Sequence, residues 1–130
     1  MIAVDTNVVV RYLTRDDHQQ AARAASLIQT SPIWVSKTVL LETEWVLRTL
    51  YGYAPNPLAE ALRAFAGLPT VIVEDELAVV KALDWFREGL DFADALHLAS
   101  AGDARQFASF DRKLIRQAKR CAALETILLR

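Results

Sequence analysis

Short apolar runs alternate with longer segments of helical period along the chain. Ile2–Val4, Ile33–Val35, Thr70–Val73, Gln106–Phe110 and Leu124–Leu129 are brief and mostly apolar, rich in β-branched or aromatic residues, and read as strands. Ile2–Val4 reads as a buried strand, and Leu124–Leu129 as an edge strand. Between these runs, Thr6–Leu13, His18–Gln29, Lys37–Tyr51, Leu58–Ala66, a segment from Asp75 or Glu76 to Arg87, Asp91–Ala101 and Asp111–Lys119 read as helices. Their ends carry local signals. Ser36 is placed to cap the long third helix, and Gly52 and Gly102 follow helix ends. Ser31-Pro32, Pro55-Asn56-Pro57 and Gly67-Leu68-Pro69 mark breaks or turns. Val8-Val9-Val10 is poor helix material, so the first helix leans on Thr6-Asn7, whose side chains can accept from the free N–H groups of a first turn. Strands alternating with helices predict an α/β fold, a parallel sheet covered by helices.

The faces of two helices decide which acids need explaining. At about 100° per residue, Val39, Val46, Leu47 and Leu50 form the core stripe of Lys37–Tyr51. Glu44 then falls on the opposite, polar side, where Glu44→Arg48 is an i,i+4 pair and reads as surface. Glu42 falls at the edge of the stripe, where a carboxylate is costly unless paired or bound to a cation. A structural glutamate that reaches back to water and a ligand are both open readings there. Asp91–Ala101 is apolar nearly all round and so reads as buried. Asp91 and Asp94 stand in its first turn. Capping accounts for one of them, and two exceed that need. His97, one turn beyond Asp94, reads first as a hydrogen-bonded core histidine and second as a ligand.

Asp5 and Asp111 share a position: the carboxyl end of a strand, entering a helix. In a parallel sheet such ends lie on one rim. Asp94 and Glu42 lie in or near the first turns of helices that start from that rim. Carboxylates crowded on one rim repel unless a divalent cation binds among them. Oxygen donors with no cysteine nearby suit Mg2+ or Mn2+ and not structural zinc. Such cations activate water and stabilise charge in phosphodiester hydrolysis.

Composition narrows the field. The 130 residues, 53% hydrophobic and 24% charged, fit one folded domain over 1–130 with a real core. A net charge of −1 announces no nucleic-acid partner globally, so a basic patch must be local. One cysteine excludes an internal disulfide and a cysteine-rich zinc site, and is expected of a cytoplasmic protein. No apolar run reaches the ~20 residues that span a membrane, and no secretory signal is expected. Four glycines with no Gly-x-Gly-x-x-Gly turn argue against dinucleotide binding. The lack of an Asp-x-Asp pair after the first strand, and of a lysine suitably placed after a late one, argues against a phosphoaspartate receiver or phosphatase.

Val4-Asp5-Thr6-Asn7, the Ser36…Glu42 segment followed by Trp45-Val46-Leu47, Asp91-Phe92-Ala93-Asp94-Ala95-Leu96-His97-Leu98-Ala99, and Ser109-Phe110-Asp111 together resemble the PIN-domain family. Within it the chain is most similar to the VapC-type toxins of bacterial toxin–antitoxin pairs. The resemblance runs in order over essentially the whole chain. It implies an α/β/α sandwich around a parallel sheet of short strands. It implies that Asp5, Glu42, Asp94 and Asp111 form an acidic quartet binding Mg2+ or Mn2+, oriented by Thr6, Asn7 and Ser109, with Asp91 as an accompanying acid. The implied activity is cleavage of single-stranded RNA. The implied partners are a cognate antitoxin, bound over the apolar surface of the helices between Ala21 and Phe65, and a second copy in a homodimer.

Two further readings concern substrate and role. Arg112, Lys113 and Arg116 beside Asp111, with Arg11 and Arg15 after Asp5, are the candidate RNA-contacting cations; an ordinary solvated helix face is the plainer reading of the first group. Trp34, Trp45 and Trp85 read as core or interface packing before base-stacking platforms. The competing role is a catalytically idle partner in a DNA-binding regulatory complex whose DNA contacts come from the antitoxin.

Overall fold

The computed structural model describes residues 1–122 and 124–130. The elements run β1 (Ile2–Ala3), α1 (Thr6–Thr14), α2 (His18–Thr30), β2 (Ile33–Val35), α3 (Lys37–Thr49), α4 (Pro55–Ala66), β3 (Val71–Val73), α5 (Glu76–Arg87), α6 (Phe92–Ala99), β4 (Gln106–Ser109), α7 (Arg112–Cys121) and β5 (Glu125–Leu128). The result is a helix-rich α/β fold in which every strand pairing is parallel. Caps explain why helices start where they do. Asp17, Ser36, Asp91 and Asp111 each accept from a backbone N–H in the first turn of the helix that follows.

The strands form two hydrogen-bonded groups, a three-stranded sheet in the order β1-β2-β3 and a β4-β5 pair. Register in the first runs Ile2↔Ile33 and Ala3↔Trp34, then Ile33↔Val71 through Val35↔Val73. β2 is central and alternates: Ile33 and Val35 are buried and Trp34 half-buried. β1 differs from its sequence reading. It is an outer strand with both residues exposed, because only β2 pairs with it among the described residues. Three apolar residues in a row do not distinguish an edge strand from a central one.

The core gathers Leu40 and Leu47 of α3, Leu58, Leu62 and Phe65 of α4, Val79, Leu83 and Phe86 of α5, and Phe92, Leu96 and Leu98 of α6. Phe86 and Phe92 meet at 5.5 Å between ring centroids, and Tyr12 meets Phe65 at 5.8 Å. α4 starts at Pro55, three residues before the Leu58 start read from sequence. Proline lacks only an N–H that the first turn leaves free, so Pro55 and Pro57 begin the helix instead of blocking it.

α3 is rotated from its sequence reading. Its buried residues are Leu40, Thr43, Glu44 and Leu47, and Leu50 is 69% exposed. Glu44 is therefore a buried carboxylate, not a surface one, and Glu42 is exposed. Leu40 and Leu47 set this face. Glu44 tolerates it because Arg48 Nε donates to it at 2.7 Å and Arg48 keeps its other end in water.

Candidate functional site

Asp5 lies just after β1 and caps α1, its Oδ1 accepting from the Val8 N–H at 3.2 Å. Thr6, next in line, is buried, and its hydroxyl donates to the Glu42 carboxylate. That bond brings the start of α1 to the second turn of α3. Asp5, Thr6, Thr38, Val39 and Glu42 line one cleft. Thr38 is an addition to the residues read from sequence. Its hydroxyl shares a hydrogen bond of 2.9 Å with the cap Ser36, a pairing that hydroxyl residues two apart at a helix start can signal.

A second group forms at the start of α6. Asp91 is its N-cap, and an Asp91 carboxylate oxygen accepts from the Asp94 N–H at 3.1 Å. Asp111 caps α7 by accepting from the Leu114 N–H at 3.1 Å, and the Ser109 hydroxyl oxygen accepts from the Asp111 N–H at 3.0 Å. Asp94 is half-buried. Burial raises its proton affinity most, and the neighbouring charges of Asp91 and Asp111 raise it further, with His97 opposing. The three acids are thus close enough to feel one another.

The acids of both halves offer carboxylate oxygens, and those at Asp94 repel one another. That chemistry fits a hard divalent cation. The geometry is less complete. Among the described residues, no group of three or more His, Cys, Asp or Glu stands close enough together to hold a metal ion. Asp5 and Glu42 line one cleft, and Asp91 and Asp111 lie near enough to Asp94 for their charges to act on it.

Other expected residues fall elsewhere. Asn7 is exposed and lines a groove between α1 and α2 with Val8, Arg11, Gln20 and Arg23. Its neighbours are therefore those of a different groove from the Asp5–Glu42 cleft. His97 is exposed, and no hydrogen bond joins it to Asp94, so the core reading does not hold. Arg11 is already engaged: its Nη1 bonds Asp16 at 3.0 Å and its Nε bonds Gln20 at 2.7 Å. Arg15 lies over the Tyr12 ring at 5.1 Å. Arg112, Lys113 and Arg116 are exposed on α7, which buries Leu114, Ile115 and Ala118 on its other side. Trp34 and Trp85 are half-buried, and Trp45 is 50% exposed.

No helix among the described residues is long and apolar enough to cross a membrane. The family model described as PIN domain matches residues 2–120. Among solved structures, Mycobacterium tuberculosis VapC20, a toxin that cleaves the sarcin-ricin loop, aligns at 23% identity. The alignment covers 96% of this chain and 99% of that one, with a TM-score of 0.45. No curated protein matches the chain.

Proposed function

The chain belongs to the PIN domain family, and from that premise we propose that it is a divalent-metal-dependent endoribonuclease, the VapC-type toxin of a toxin–antitoxin pair. The observation that carries the reading is the Thr6–Glu42 bond beside Asp5, which brings two acids from distant parts of the sequence to one cleft. The charges of Asp91 and Asp111 acting on Asp94 support it as well.

The proposed ligand set is Asp5, Glu42, Asp94 and Asp111, one PIN domain over the whole chain, with Mg2+ or Mn2+ as the ion. A hard cation bound there would supply an activated water and offset charge on the reacting phosphate. The chain's own side chains do the rest. Thr6 fixes Glu42, and Ser109 holds the Asp111 backbone beneath its carboxylate. Asp91 ties the first turn of α6, its carboxylate accepting from the Asp94 N–H. Arg112, Lys113 and Arg116, with Arg15, are the proposed phosphate contacts along single-stranded RNA. Cytoplasmic location, a homodimer and a cognate antitoxin over the helices between Ala21 and Phe65 complete the proposal.

Induced expression tests the toxin role. Growth should arrest with the wild-type chain, and new RNA 5′ ends should appear at defined sites. Coexpression of a cognate antitoxin should relieve the arrest. A wild-type chain that arrests nothing and cuts no RNA, yet strengthens such a partner's hold on promoter DNA, would favour the idle regulatory role instead.

A further inference from the structure

A second cleft adjoins the acidic one. It holds about 380 Å³ and is lined by Thr38, Leu41, Glu42, Trp45 and Arg48 of α3 with Ala93 of α6, and Glu44 stands at its base. Thr38 and Glu42 line both clefts, so the two are neighbours. Thr38, Leu41, Trp45 and Arg48 recur at helical spacing on one side of α3, with Leu41 half-buried and the other three exposed. We propose that this cleft binds one unpaired nucleotide of the RNA, with its base stacked on Trp45 and its edge or phosphate met by the Arg48 guanidinium. The inference rests on the ribonuclease reading above and specifies its substrate-binding surface.

Three observations support it. Trp45 is half-exposed, although an indole of this size is ordinarily drawn into the core. Arg48 is held from beneath: its Nε donates to Glu44 at 2.7 Å and its Nη2 lies 3.5 Å from the same carboxylate. The Glu44 side chain is 2% exposed and that of Arg48 is 41% exposed. A buried carboxylate thus holds Nε and Nη2 of the guanidinium, and Arg48 lines the cleft. Ordering an arginine before its ligand arrives lowers the cost of binding. The surroundings also favour a base over a bare anion. Glu44 neutralises Arg48, and Glu42 lies beside it, so the cleft carries no net positive charge. Stacking needs none, because every base offers a π-face.

The experiment uses the full chain in an Asp94→Asn background, where turnover is not expected to consume the probe. The probe is a short single-stranded oligoribonucleotide of mixed sequence, titrated with Mg2+ present and read by tryptophan fluorescence and by anisotropy of a labelled end. Trp45→Phe keeps a smaller stacking face, and Trp45→Ala removes it. The parent should bind with quenching that Trp45→Phe lacks. Affinity should fall in the order parent, Trp45→Phe, Trp45→Ala, with a loss of roughly tenfold or more in the last. Glu44→Gln should weaken binding while circular dichroism and melting show a folded chain. A self-complementary RNA duplex should bind without the quench. Parent-like affinity in Trp45→Ala overturns the subsite and leaves the nuclease reading standing. That result together with dissociation of a dimer in light scattering would make Trp45 a contact between protein copies instead. A parent chain that binds no single-stranded RNA at all overturns both readings.

Discussion

The Thr6 hydroxyl donates to the Glu42 carboxylate across 36 positions of sequence. The bond joins the first residue of α1 to α3 and stands beside Asp5. Thr6→Val keeps the shape and deletes the donor. We expect it to cost about 1–2 kcal/mol in chemical denaturation, since the bond goes to a charged group near the surface. RNA cleavage should fall more than stability suggests, because Glu42 loses its orientation. Thr6→Ser should recover much of both.

The Glu44–Arg48 pair makes an asymmetric prediction. Arg48→Met leaves a carboxylate buried without its partner, and should destabilise the fold by about 2–3 kcal/mol. Glu44→Leu together with Arg48→Met should recover most of that loss, because an apolar side chain suits the site. Melting of the two single variants and the double variant in a cycle measures the coupling directly.

Asp94 links stability to metal. Its neighbours Asp91 and Asp111 repel its charge, so in metal-free buffer Asp94→Asn should melt no lower than wild type. Added Mg2+ should raise the wild-type melting temperature and leave that of Asp94→Asn nearly unmoved. At a concentration a hundredfold above the dissociation constant, the gain corresponds to ~2.7 kcal/mol. Differential scanning calorimetry with and without Mg2+ reads both arms.

Asp16 reports on a different corner. Hydrogen bonds from Tyr51 and Thr14, then from Arg11, lower its pKa from 3.8 to about 2. The folded value lies below the ordinary one. Its stabilising contribution is therefore complete above the unfolded value and is lost as pH falls through the folded one, between 3.8 and about 2. Carboxyl NMR titration should find this low value, and Tyr51→Phe should move it back toward 3.8.

The helices were legible because their signals are local. Ser36, Asp91 and Asp111 announce helix starts by chemistry that acts within three residues. The side on which a helix is buried is a different matter. Glu44 and Arg48 make the same i,i+4 pair on a wet face or a dry one, and only the packing of Leu40 and Leu47 decides. β1 read as buried because apolar content is visible in sequence while strand order is not. The same limit applies to the site. That Asp5, Glu42, Asp94 and Asp111 are chemically notable follows from their positions after strands and in first turns. That Thr6 reaches Glu42, that Asn7 lines another groove and that Arg11 is occupied by Asp16 depend on distances between elements.

The measurement that bears most directly on the central claim is RNA cleavage by purified protein, with Mg2+ or Mn2+ and then with the metal chelated. Wild type, Asp5→Asn and Asp94→Asn are compared on one single-stranded substrate, with folding verified by circular dichroism. The account predicts cleavage by the wild type only when metal is present, and its loss in both variants. Cleavage by either variant at the wild-type rate, or wild-type cleavage undiminished by chelation, would contradict it.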